Sequence, residues 1–198
     1  MNKTLLIILA IVIGLIVLFS MMFGAIYNTL VQKDEAVKSA WAQVENVYQR
    51  RLDLIPNLVE TVKGYAAHER ETLQSVIEAR SKVSQINVTP DVINQPNAFS
   101  QFQAAQNRLS SALSRLMVVV ERYPDLKANT NFLELQAQLE GTENRIAVER
   151  KRYNDAAQNF NTLRRTVPNI LVANFMNLPE KSYFKAEEGA NKPPKVKF

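Results

Sequence analysis

At 198 residues, with five glycines, no cysteine and a formal net charge of +5, the chain has room for one domain plus appendages. The missing cysteines exclude disulfides, thiolate metal ligands, a cysteine nucleophile and a lipid-carrying N-terminal cysteine. Abundant Ala, Leu, Val, Gln, Asn, Glu and Arg favour helix over sheet, and nothing here resembles the interleaved aromatic and basic residues of an RNA-binding sheet.

No charged residue lies between Thr4 and Gln32, and residues 5–27 are almost wholly apolar. At about 1.5 Å per residue, some 20 residues cross a hydrocarbon core of about 30 Å. The run exceeds the roughly 7–15 apolar residues of a signal peptide, and no A-x-A-like cleavage site follows it. Residues 1–32 are therefore expected to form a tail and an uncleaved single-pass anchor, with residues 5–27 meeting the lipid bilayer. Lys3 flanks the anchor on one side and Lys33, Lys38, Arg50 and Arg51 on the other, which by the positive-inside bias favours a cytoplasmic bulk and an outside N-terminus. Ala10 and Gly14 form a small-xxx-small pair that would let two anchors pack closely.

Beyond the anchor, apolar positions recur at helical spacing. One seam runs Val37, Trp41, Val44, Tyr48, Arg51, Ile55, and resumes after Pro56 through Val59, Val62, Ala66, Glu69, Leu73, Val76, Arg80 and Val83. A third runs Phe99, Phe102, Gln106, Leu109, Leu113, Leu116, Val120. The longest runs Phe132, Leu135, Leu139, Thr142, Ile146, Glu149, Tyr153, Ala156, Phe160, Leu163, Val167. Such seams pack helices at shallow angles, as in coiled coils and antiparallel bundles. Residues 87–97, with two prolines, are expected to be a loop, and residues 123–131 a second break. Asn131 with Glu134 fits a capping pattern for the last long helix, which Pro168 stops or bends.

Pro56 falls inside the first seam without changing its phase, which predicts a kink or a one-turn break rather than a reversal. Asn57 and Glu60 could cap the restart. Arg50 or Arg51 could pair with Asp53, or satisfy carbonyls freed by the proline. The overall expectation is an all-α protein: a single N-terminal transmembrane helix followed by an antiparallel long-helix bundle over residues 33–184.

Catalytic patterns are missing. His68 is the single histidine and has Tyr65 three residues before it, so neither Glu-x-x-His nor H-E-x-x-H is formed. No G-x-S-x-G turn and no glycine-rich phosphate loop exists. The expectation is a non-enzyme with no catalytic, cofactor or metal residues and no nucleic-acid partner. Phe175, Leu178, Tyr183 and Phe184 read as a strap docked on the bundle, with an exposed anchor for a partner as the other reading. Residues 185–198 read as a disordered basic tail.

Three stretches carry a resemblance: RRLDLIPNLVETVKGYAAHE at 50–69, the segment YPDLKANTN through YNDAAQNFN at 123–161, and FMNLPEKSYF at 175–184. Together they resemble the LemA family of bacterial membrane proteins. The resemblance implies one N-terminal transmembrane helix, an antiparallel helical bundle, a short outside N-terminus and an inside bulk. It carries over no activity and no catalytic residue. The polar residues of these stretches, Arg50, Arg51, Asp53, Asn57, Glu143, Asn144, Arg145, Glu149 and Arg150, are the candidates for ion pairs across the bundle, either architectural or partner-binding. Two functional readings follow: a membrane-anchored scaffold or docking module with an unknown protein partner, or a self-associating protein that organises the membrane.

Overall fold

The structure, a computed structural model, describes residues 3–86 and 90–185. Among these residues there is helix and no strand. The expected basic tail lies outside them, apart from Lys185. The first helix, α1 (Lys3–Tyr65), carries the apolar N-terminal run and continues without a break into the bundle. It crosses the boundary expected between residues 32 and 33 as regular helix.

The Pro56 expectation is corrected in one respect. Helix α1 is continuous through the proline and ends nine residues later, where residues 66–69 turn the chain back. A proline in a helix interior costs about 3 kcal/mol or more in isolation. Here Ile55, Leu58, Val59 and Val62 are all buried around it, while Pro56 and Asn57 face solvent. Packing on both sides holds the helix together and leaves Asn57 no terminus to cap.

Helix α2 (Arg70–Gln85) runs back down the bundle, and α3 (Pro96–Val120) climbs again. The expected loop at 87–97 contains a short 3-10 turn, Pro90–Asn94, and ends when α3 starts on Pro96. A proline suits that first position, where no intrahelical donor is needed. A single turn, α4 (Pro124–Lys127), bridges to α5 (Thr130–Arg165). The cap of α5 is Asn129, two residues before the expected Asn131: its side chain accepts from the Phe132 amide at 3.0 Å. The spacing from Asn129 to Phe132 places the oxygen on the third free N–H, as capping requires.

Helices α1 and α5 form one close antiparallel pair and α2 and α3 another. The direction follows from the partners: Arg51 meets Glu143, Trp41 meets Tyr153, and Leu30 lies in one cluster with Leu163. Between the two pairs lie the large side chains. Trp41 packs on Phe99, Phe102, Tyr153 and Phe184 with ring centroids 5.4–6.0 Å apart.

After α5 the chain forms α6 (Asn169–Phe175) beside the base of α1, and Val167, expected on the α5 seam, is instead 83 % exposed beyond that helix's end. A left-handed Asn177 (φ 51°) then ends α6, with the Leu178 amide reaching the Ala173 carbonyl and the Asn177 amide the Asn174 carbonyl. This helix-ending motif turns the chain so that residues 178–185 run back up the bundle as an extended strap.

Candidate functional site

The core is divided into three apolar clusters stacked along the bundle. The distal one holds Ile55, Leu58, Val62, Leu109, Leu116, Phe132 and Leu139. The middle one is the aromatic nest around Trp41, and the basal one holds Leu30, Val172 and Ala173. A buried polar layer sits at each of the two junctions.

The upper layer is built on Arg51, which is 1 % exposed. Its Nη1 donates to Ser110 Oγ at 2.9 Å and to Glu143 Oε1 at 2.8 Å, and its Nη2 donates to Gln106 Oε1. The guanidinium carbon lies 5.1 Å from the Tyr48 ring centroid. Three helices thus close on one cation, and Nε alone lacks a protein partner. A recess of about 110 Å³ opens beside it, bounded by Tyr48, Gln106, Ser110, Glu143 and Arg150. Burial pushes the Tyr48 phenol above its ordinary range, so it stays protonated and offers no base.

The lower layer joins α1 to the strap. Lys181, 3 % exposed, places Nζ 2.5 Å from Asp34 Oδ1 and donates to Asn94 Oδ1 at 2.8 Å. Asp34 also meets Lys38 at 2.9 Å. Burial alone would raise the Asp34 carboxyl. The ammonium groups of Lys181 and Lys38 outweigh it and hold the group below the usual carboxylate range.

The strap is held by side-chain amides that each clasp one backbone unit from both sides. Asn161 accepts from the Lys181 amide and donates to the Lys181 carbonyl, both at 2.9 Å. Asn154 does the same to Phe184, at 2.9 and 3.0 Å, and Gln103 to Lys185, at 3.3 and 2.8 Å. Tyr153 donates its phenol proton to the Ser182 carbonyl at 2.8 Å, and burial raises that phenol as well. Of the four residues expected to dock, Phe184 is buried and Leu178 packs against the core. Tyr183 is 39 % exposed yet bonds Asn161, and Phe175 stays 75 % exposed.

Of the nine polar candidates, the structure brings Arg51 and Glu143 into contact and sets Arg150 on the rim of the same recess. Arg150 also donates to the Lys185 carbonyl at 3.0 Å and stacks its guanidinium on Phe184 at 4.6 Å. The other six lie elsewhere. Arg50, Asn57, Asn144 and Arg145 face solvent, and Glu149 pairs along its own helix with Arg152 at 2.8 Å. Asp53 accepts from Gln49 at 2.8 Å rather than from either arginine. Arg51 and Asp53, two residues apart on the helix, point to different sides, Arg51 inward and Asp53 to solvent.

The lower layer was not among the candidates. Its signal was present in the spacing: Asp34 sits one turn from Leu30 and three residues before Val37, at a seam position where a carboxylate demands a partner. The partner Lys181 lies beyond the last helix, where periodicity has no reach. Among the described residues, no three His, Asp or Glu side chains converge on one point, and His68 lies exposed in the 66–69 turn. An open groove of about 660 Å³ lies between α2 and α3, lined by Ala79, Ala104, Ala105 and Ala112 together with Glu78, Lys82, Arg108 and Arg115.

Against known families, the LemA family model matches residues 40–198, which takes in the upper polar layer and Lys181 of the lower one but not Asp34. The chain belongs to the LemA family. A bacterial relative, Protein LemA of Metamycoplasma hominis, is 26 % identical over 161 residues, covering 81 % of this chain and 69 % of that protein. For this LemA-family chain the family match begins at Ala40, inside α1, so the anchor is argued from its own residues. Among the described residues, one helix is long and apolar enough to cross a membrane, and its most apolar window is wholly unburied by the rest of the chain.

Proposed function

We propose that this LemA-family protein is a single-pass docking scaffold, with its N-terminus outside and its bundle standing on the cytoplasmic face of the bacterial inner membrane. The observation that carries the reading is the continuity of α1 from anchor to bundle tip: a bundle built on its own anchor helix, with no linker, keeps a fixed height above the bilayer. Both buried polar layers are engaged with the chain's own groups, which supports an architectural role for them. The α2–α3 groove is the surface best suited to a partner. Its alanines let a backbone approach closely, and its charged residues would set orientation.

Site-directed photo-crosslinking tests this reading. A photoreactive residue at Gln101 or Ala104, in the full chain in native membranes, is expected to give a discrete protein adduct that the same residue at exposed Leu133 does not. Adducts of equal yield from all three positions, or none, would remove the support for a docking groove.

A second reading, a homo-oligomer organising the membrane, has one observation in its favour. The Ala10–Gly14 pair sets two small residues one helical turn apart on the unburied stretch of α1, the spacing at which two anchors pack closely. Mass photometry of the detergent-solubilised chain, wild type against Gly14→Leu, separates the readings: an oligomer that the substitution dissociates favours the second.

A further inference from the structure

Helix α6 has apolar residues on both of its sides. One face packs Val172 and Ala173 onto Leu30, with Ile26 beside them, and the Phe175 ring meets Phe23 edge-on at 5.7 Å. Leu171 and Phe175, four residues apart in the helix, are 70 % and 75 % exposed, Phe175 despite its contact with Phe23, and Val167 in the turn before the helix is 83 % exposed. Asn174 is exposed on the helix, yet large apolar side chains exposed together beside it mark an interaction surface. Its location supplies the occupant. Counting about 20 residues from Leu5 for the hydrocarbon core places the bilayer's edge near Phe23 to Tyr27, and that is the stretch of α1 against which α6 lies. The exposed face of α6 is therefore continuous with the lipid-facing surface of the anchor.

Neighbouring groups fit the same placement. Tyr27 is 42 % exposed at the level where aromatic residues settle at a membrane surface. Lys33, exposed at the anchor's exit, suits the phosphates of anionic lipid. The polar side chain Asn169 is turned inward to the Leu163 carbonyl and Thr166.

We propose that α6 is a membrane foot: a short interfacial element whose Val167, Leu171 and Phe175 sink into the headgroup–acyl boundary beside the anchor, giving the bundle a second point of contact with the bilayer. Two contacts fix tilt and rotation where a single helix fixes neither. The inference rests on the anchor reading, so its test must separate failure of the foot from failure of the anchor.

The absence of native cysteine makes that possible. Single substitutions Leu171→Cys, Leu15→Cys and Ile77→Cys in the full chain each take a bimane label, and the protein is reconstituted into nanodiscs with or without shallow or deep doxyl-labelled phospholipid. The expected result is quenching of position 171 by at least twofold with the shallow doxyl lipid, quenching of position 15 by the deep one, and no change at position 77. Quenching at 15 without quenching at 171 overturns the foot and leaves the anchor standing. Quenching at neither position overturns both. A blue-shifted label at 171 that no doxyl lipid quenches identifies a protein contact there, such as a second copy, and also overturns the foot.

Discussion

Arg80 donates from its guanidinium Nε to the backbone carbonyl of Leu52 at 3.0 Å. Leu52 is four residues before Pro56, so this is the carbonyl whose helical donor the proline lacks. A side chain from α2 therefore completes the hydrogen bonding of α1 and ties the two helices at the point where α1 is weakest. The RRLDLIPN stretch is an instruction for packing α2 against α1. The arginine that repairs the proline comes from another helix, 28 residues further on.

That pairing predicts a coupled pair of substitutions. Arg80→Ala leaves a part-buried carbonyl without its donor and should lower unfolding stability by about 1–3 kcal/mol. Replacing Pro56 by Ala supplies the missing amide, so the same Arg80→Ala change should cost less than about 1 kcal/mol in that background. Urea unfolding of the four variants in one detergent, followed by circular dichroism, measures the coupling. Equal costs in both backgrounds would mean that Arg80 acts elsewhere.

The upper polar layer predicts an order of costs that exposure alone would reverse. Glu143 is 39 % exposed and Arg51 1 %, yet removing Glu143 strands a buried cation. Glu143→Ala should therefore cost about 3–5 kcal/mol. Arg51→Met fills the space and leaves chiefly Gln106 unsatisfied, for about 1–3 kcal/mol. Thermal or urea unfolding of the two variants gives the order directly.

The lower layer predicts a pH dependence. The Asp34 carboxyl titrates below its ordinary range in the folded chain, so the unfolded chain takes up its proton first as the pH falls. The stabilisation is complete above the ordinary carboxylate pKa, about 3.8–3.9, and is lost as pH drops through the lower folded value. Glu45 has the opposite sign: burial raises it, though Trp41 donates to it, and it favours the folded state as it protonates. Asp34→Asn should therefore remove most of the acid-side loss while lowering stability at neutral pH, where Lys181 is left buried without its counter-charge. Unfolding midpoints followed from pH 7 down to about pH 2 check both arms, and an unchanged acid slope in the variant would contradict the assignment.

Strap docking predicts local effects. Asn161→Ala should speed hydrogen exchange at the Lys181 amide by at least tenfold and Asn154→Ala should do so at Phe184, each leaving the other amide less affected. Exchange followed by mass spectrometry resolves the two. Uniform acceleration would make the strap one cooperative unit.

Much of the fold was legible because helix packing is periodic. Val37, Trp41, Val44, Tyr48, Arg51 and Ile55 are all buried, and so are all seven residues of the seam from Phe99 to Val120. The turn at 66–69 was not: Val62, Ala66, Glu69 and Leu73 keep helical phase across a reversal, because α2 packs on the same core from the other direction. At the candidate site, Arg51 and Glu143 could be singled out from polar residues within helical stretches. Gln106 stood on a seam without a known partner. The Asp34–Lys181 pair and the asparagine clasps were illegible because one partner of each lies in an extended segment with no repeat.

Everything proposed for the bundle depends on the face of the membrane it occupies. Ser81, exposed on α2, is the place to ask. With Ser81→Cys in the full chain, bacterial cells treated with a membrane-impermeant maleimide are expected to show no labelled protein until they are lysed, which places the bundle in the cytoplasm. Labelling in intact cells at the level seen after lysis would put the bundle outside and contradict a cytoplasmic docking scaffold.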